Sequence, residues 1–158
     1  MNQMIVDKKI DGRPIDILLV EDNDVDVKIT QLAFEESKVK NSIYVTRDGE
    51  DALNYIYKRG EYEESKKEAP TPDLILLDLN MPKIGGLEVL KALKADEFYK
   101  SIPVIILTSS ASEEDIAKSY RDGATNYIQK PIDFEGFVDI VEGFNYYWLN
   151  ISKLPHHR

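Results

Sequence analysis

Three carboxylates, a hydroxyl and an ammonium sit where apolar runs of this chain end. Ile17-Leu18-Leu19-Val20 leads into Glu21 and Asp22, and Leu74-Ile75-Leu76-Leu77 into Asp78. Val104-Ile105-Ile106-Leu107 leads into Thr108, and Tyr127-Ile128-Gln129 into Lys130. In an open parallel α/β sheet, ligands bind beyond the carboxyl ends of the strands. Four such tips would gather these side chains around one spot. Clustered carboxylates repel one another, so a proton or a cation must relieve them. Magnesium suits the purpose, since it takes one or two carboxylates together with waters and a phosphate oxygen. An aspartate so placed can act as a nucleophile and form an acyl phosphate. A lysine can neutralise charge on the phosphoryl group, and a threonine hydroxyl can donate to one of its oxygens. Phosphoryl transfer needs little beyond such positioning and charge stabilisation. Taken singly, each residue has an ordinary explanation: Asp as a cap or turn former, Lys before Pro as a surface turn residue, Thr as a strand former. Agreement at all four tips weakens those explanations.

The elements that must position these groups follow from periodicity. Apolar runs alternate with helical patterns, which predicts βα units and a parallel sheet. Strands are expected over 15–21, 42–46, 74–78, 103–108 and 126–129. Helix one is expected over 25–37, with Val25, Ile29, Leu32, Ala33 and Glu36 at helical spacing and Asn23 or Asp24 as its cap. Helix two spans 50–58 with Ala52, Leu53 and Ile56 inward, and a polar loop covers 59–72. Gly85 and Gly86 precede helix three, whose apolar side carries Leu87, Val89, Leu90 and Leu93. Ser112 to Asp115 resembles a capping box opening helix four, which Gly123 ends. Helix five starts after Asp133 and runs to about Asn150. The expected fold class is α/β: a single doubly wound domain with a five-stranded parallel sheet, flavodoxin-like, in strand order 2-1-3-4-5. Residues 1–14 read as an N-terminal extension, 15–150 as the domain and 151–158 as a C-terminal tail.

Composition narrows the function. The chain has 158 residues, 42% hydrophobic and 31% charged, ordinary for one globular domain. A net charge of −9 disfavours general nucleic-acid binding, which shows a basic stripe, and anionic membrane surfaces. With no cysteine, thiolate chemistry, disulfides and Cys-based zinc sites are excluded. No apolar stretch approaches the roughly 20 residues that span a bilayer, and the first residues lack the apolar core of a secretory signal. The expected location is the cytoplasm. His156 and His157 lie in a polar tail and read as solvated.

The ordered motifs Glu21-Asp22, Asp78-Leu79-Asn80-Met81-Pro82, Thr108-Ser109-Ser110 and Lys130-Pro131 resemble the receiver domains of two-component response regulators. The resemblance covers roughly residues 15–149. It implies that Asp78 accepts a phosphoryl group from a sensor histidine kinase. It implies that Asp22, Asp78 and the Asn80 carbonyl bind Mg2+, with Glu21 acting through water. Thr108 would move toward the phosphate, Lys130 would pair with it across a cis bond to Pro131, and Tyr127 would take the aromatic switch position. Read without the resemblance, Tyr127 is a strand aromatic on a half-buried face. Lys130 has no evident structural partner in the sequence. Gly85 stands where the family often has Asp or Asn, and the segment between helix two and strand three is long. A similar extension occurs in small stand-alone receivers serving phytochrome-type kinases.

With no output domain evident after Asn150, the signal is expected to leave by protein contact, through a kinase, a phosphotransfer protein or a second copy of the chain. Helix five carries two apolar stripes. Phe134, Phe137, Val141, Phe144 and Trp148 form one, and Ile140, Tyr147 and Ile151 the other. One stripe should cover the sheet; the second either widens that buried face or makes an interface. A homodimer through helix four, strand five and helix five is therefore expected. Two other functions share parts of this pattern. A phosphohydrolase of the haloacid dehalogenase type favours Asp-x-Asp at its nucleophile and a cap domain, whereas this chain has Asp78-Leu79-Asn80. A flavodoxin-like cofactor binder needs a phosphate-cradling loop after strand one, where Glu21-Asp22-Asn23-Asp24 would repel phosphate.

Overall fold

A computed structural model describes residues 14–37, 40–63, 68–81, 83–110, 112–130 and 133–151; within 144–151 it describes the helical backbone alone. The alternating runs become β1 (Ile15–Val20), α1 (Asp24–Glu36), β2 (Asn41–Thr46), α2 (Gly49–Tyr57), β3 (Leu74–Leu77), α3 (Gly86–Lys94), β4 (Val104–Thr108), α4 (Glu113–Arg121), β5 (Asn126–Gln129) and α5 (Phe134–Ile151). The strands form one 5-stranded sheet in the order β2-β1-β3-β4-β5, and every pairing is parallel. This is the doubly wound α/β fold expected. The loop after α2 contains a single 3-10 turn, Gly60–Tyr62.

Central strands buried on both faces read as unbroken apolar runs, as β3 does throughout and β1 does from Ile17 to Val20. Their side chains alternate between two cores. Ile17, Leu19, Leu74 and Leu76 face α1 and α5, meeting Val27, Phe34, Phe137 and Val141. Leu18, Val20, Ile75 and Leu77 face α2 and α3, meeting Ala52, Tyr55, Ile56, Val89, Leu90 and Leu93. Register on β1 aligns Val20 with Thr46 and with Leu77, so the strand tips finish level.

Helix α1 differs from the expected face. Val25 is 65% and Leu32 39% exposed, while Val27, Thr30, Ala33 and Phe34 are buried. The inward stripe passes through Thr30, whose hydroxyl donates to the Asp26 carbonyl at 2.8 Å. That bond satisfies the hydroxyl locally and lets a polar residue join the core. Asn23 is the cap, its side chain accepting from the Asp26 N–H at 2.9 Å.

The capping box of α4 is half formed. The Ser112 side chain accepts from the Asp115 N–H, but Asp115 accepts from the Ser110 hydroxyl at 2.7 Å instead of reaching back. Helix α4 is thinly docked, with Ser119 as its buried residue and Tyr120 47% exposed. On α5, Phe137 and Val141 are buried, Ile140 packs partly against the same core, and Phe134 is 39% exposed. The expected cis bond at Pro131, the extension over 1–13, the tail over 152–158 and the side chains of Phe144, Tyr147 and Trp148 lie outside the described residues.

Candidate functional site

The level strand tips build the site. Beyond β1, the Glu21 N–H donates to the Thr46 carbonyl at 2.9 Å, and beyond β3 the Asp78 N–H donates to the Val20 carbonyl at 3.1 Å. These sheet-like bonds carry both carboxylates one step past the strands. Glu21 is 1% and Asp78 6% exposed, whereas Asp22 lies open at the mouth. Carboxylate oxygens of Glu21, Asp22 and Asp78 all lie within 4.8 Å of one another. Hard oxygen donors with excess negative charge fit a hard divalent cation.

The loop after Asp78 folds back over it. The Asn80 N–H donates to Asp78 Oδ1 at 3.1 Å, and Asn80 Nδ2 approaches Thr108 Oγ1 at 3.4 Å. Gly86 opens α3 directly against this loop, where an added Cβ would overlap the Asp78 carbonyl oxygen. Only glycine permits so close a backbone approach. On the other side, Gly49 at the start of α2 packs against the Ile84 backbone, again with no room for a Cβ.

Lys130 follows β5, its N–H donating to the Thr108 carbonyl at 2.7 Å. Its ammonium reaches into the acidic cluster, 2.9 Å from Glu21 Oε1, 2.7 Å from Asp26 Oδ2 and 3.5 Å from Asp78 Oδ2. The structure thus corrects the expectation that Lys130 has no structural partner. Asp26 was missed in the sequence. Its place in the first turn of α1 gave no signal, since an acidic residue there reads as an ordinary companion of the helix N-terminus. Burial pushes the Glu21 carboxyl up to about 7; the Lys130 hydrogen bond opposes the rise and the Asp78 charge adds to it. Burial alone would lower the Lys130 ammonium, but its bonds to Asp26 and Glu21, with the Asp78 charge, carry it above its ordinary value. Several carboxylates surround one ammonium, which accounts for the rise of Lys130, while the rise of Glu21 comes first from its burial.

The structure therefore brings together Glu21, Asp22, Asp78, Asn80, Thr108 and Lys130. Tyr127 stands apart. Its hydroxyl donates to the Ser110 carbonyl at 3.0 Å, and its ring packs partly buried against the α2–α3 core.

Comparison with known proteins agrees with this geometry. Residues 17–142 match the model of the response regulator receiver domain family. Response regulator Rcp1 of Synechocystis sp. is 38% identical over 139 residues, covering 88% of this chain and 92% of Rcp1. The structure of the phosphorylated cyanobacterial phytochrome response regulator RcpA superposes with a TM-score of 0.77 at 40% identity, covering 90% of this chain and 99% of RcpA. The Mn2+-bound form of Rcp1 gives 0.77 at 37% identity, covering 90% of this chain and all of that one, 100%. Among the described residues, no helix is long and apolar enough to cross a membrane. Receiver domains are phosphoacceptors that transduce phosphoryl signals in two-component systems, not turnover enzymes, and a buried aspartate between an acidic pair and a lysine suits that work. By its sequence, its sheet order and the residues gathered at its strand tips, the chain belongs to the response regulator receiver family and is similar to its phytochrome-associated members.

Proposed function

We propose that Asp78 is the phosphoacceptor, taking its phosphoryl group from a sensor histidine kinase. The observation that carries this is the Asp78 carboxylate itself. It is buried to 6% exposure, with Oδ1 held by the Asn80 N–H and Oδ2 turned toward Lys130. In the transfer, an Asp78 oxygen attacks phosphorus as the bond to the donor's imidazole nitrogen breaks. The electron pair of that bond stays on the imidazole, which takes a proton from solvent. Lys130 neutralises a phosphoryl oxygen, Thr108 donates its hydroxyl to another, and the Asn80 N–H fixes the attacking carboxylate. Asp22, Asp78 and the Asn80 carbonyl would hold Mg2+, with Glu21 acting through water. When bound, the ion supplies positive charge against the phosphoryl oxygens. The presence of Mn2+ in the structure of Rcp1 and the phosphorylated state of RcpA support the same assignment.

The test is incubation with a small phosphodonor and magnesium, followed by mapping of the acyl phosphate. Wild type should be labelled on Asp78 and Asp78→Asn should lose the label; full labelling of that variant would overturn the assignment. Asp22→Ala should abolish the magnesium response seen by NMR, and an unchanged affinity would remove Asp22 from the site.

The domain boundaries we assign are 15–150 for the receiver, flanked by 1–14 and 151–158. The kinase is phytochrome-like by the kinship with RcpA, and a phosphotransfer protein is a second candidate partner. We assign homodimerisation to α4, β5 and α5, with Tyr127 and Thr108 linking it to the phosphorylated state. Support comes from the thin docking of α4, the edge position of β5 and the exposure of Tyr120 and Phe134. Sedimentation with and without a phosphoryl mimic tests it; a monomer in both states at tens of micromolar would end the proposal.

A further inference from the structure

Asp26 belongs to none of the roles assigned so far, yet its carboxylate makes the shortest contact to the Lys130 ammonium. Asp26 Oδ2 lies at 2.7 Å, Glu21 Oε1 at 2.9 Å and Asp78 Oδ2 at 3.5 Å. Bonds of about 2.7–2.9 Å between ionised groups are the strong ones, so two of the ammonium's three donors are committed away from Asp78. The position of Asp26 predicts a different use for its side chain. It is the third residue of α1 after the cap Asn23, where an acidic side chain reaches back to the cap N–H. Here that N–H is taken by Glu21 Oε2 at 3.3 Å. The Asp26 backbone is engaged by neighbouring side chains, its N–H donating to Asn23 Oδ1 and its carbonyl accepting from the Thr30 hydroxyl, and its own side chain is left for Lys130.

We infer that Asp26 is a positioning residue that holds the Lys130 ammonium off Asp78 until a phosphoryl group draws it across. The inference rests on the assignment of Asp78 and Lys130 above. A phosphoryl group on Asp78 adds negative charge at the loosest of the three contacts and pulls the ammonium toward it, away from the other two. Glu21 has a 1% exposed side chain and Asp26 a 30% exposed one. Bulk water solvates the more exposed Asp26 more readily than the buried Glu21, so Asp26 is the partner that lets go. Capture of the phosphoryl group therefore works against the Asp26–Lys130 pair, and the strength of that pair sets how readily the switch is thrown.

A double-mutant cycle tests this. Affinity for beryllofluoride with magnesium, a phosphoryl mimic, is measured for wild type, Asp26→Asn, Lys130→Met and the double variant. Asp24→Asn serves as the charge control, since Asp24 is 86% exposed and pairs with Arg47. Asp26→Asn should bind the mimic roughly two- to fivefold more tightly than Asp24→Asn, the range of a partly exposed ion pair, and the gain should vanish in the Lys130→Met background. An equal gain in both backgrounds makes Asp26 a mere source of charge and overturns the inference, as does no gain at all. Should Lys130→Met fail to fold, the NMR signal of the Lys130 ammonium in the metal-free single variants decides. It should shift in Asp26→Asn and not in Asp24→Asn, and an unmoved signal overturns the inference. Failure of the underlying assignment looks different: Asp78→Asn would then bind the mimic as wild type does.

Discussion

Removal of the Lys130 ammonium strands the carboxylates it joins. Taking one partner from a fully buried ion pair costs about 3–5 kcal/mol. Asp26 is 30% exposed and Glu21 is already raised by burial toward taking a proton, so Lys130→Ala should cost less, roughly 2–3 kcal/mol. Urea unfolding with and without magnesium checks this. The loss should shrink with magnesium, because a second cation then serves the same carboxylates, and an unchanged midpoint without metal would contradict it. The gathering of Asp78, the acidic pair, the threonine and the lysine was legible in the sequence because each ends an apolar run. The Asp26–Lys130 contact was not, since its partners are 104 positions apart and nothing local to either residue points to the other.

Helix α1 shows what periodicity can and cannot supply. Phe34→Ala should cost about 3–5 kcal/mol, as for a fully buried aromatic. Leu32→Ala should stay within about 0.5 kcal/mol, as for a surface position. Thermal unfolding of the two variants separates them, and equal losses would mean that the helix presents a different face. The sequence placed Leu32 inward because a stripe drawn through apolar residues alone passes over Thr30. A hydroxyl that bonds its own helix carbonyl loses most of the penalty of burial, and hydrophobicity does not register it. Strand order and the existence of all five helices were legible because the apolar runs 17–20, 74–77 and 104–107 are each bounded by turns or polar residues and alternate with helical patterns. In the loop after β3, Gly86→Ala should cost about 1–3 kcal/mol by overpacking and weaken magnesium binding as well, because the displaced backbone carries Asp78. Wild-type magnesium affinity in that variant would show that the loop can give way elsewhere.

For the molecule as a whole, alkaline stability is set on the side of the sheet away from α1. Tyr55 donates to the Pro70 carbonyl and Tyr62 to Asp51, each at 2.8 Å, with their rings 5.3 Å apart. Burial raises both phenols above the ordinary value of 10.0, and neighbouring acidic groups add to it. The folded state therefore keeps protons that the unfolded chain gives up. Their contribution is whole below pH of about 10 and is lost as pH climbs through the folded values. Unfolding midpoints should fall steeply above that pH in wild type and less so in Tyr62→Phe, and parallel curves would contradict this.

The reach of Lys130 also bears on how the chain assembles. Glu21 and Lys130 are 109 positions apart, so synthesis completes the acidic side of the cluster long before the ammonium that balances it exists. A nascent chain that has paired β1 with β3 holds mutually repelling carboxylates at the growing edge of its sheet. The docking of β5 is then pulled by charge as well as driven by apolar burial. Magnesium should hasten the last step of refolding most in chains where Lys130 has been neutralised. A chain cut short of β5 would therefore hold the carboxylates of the cluster without the ammonium that balances them.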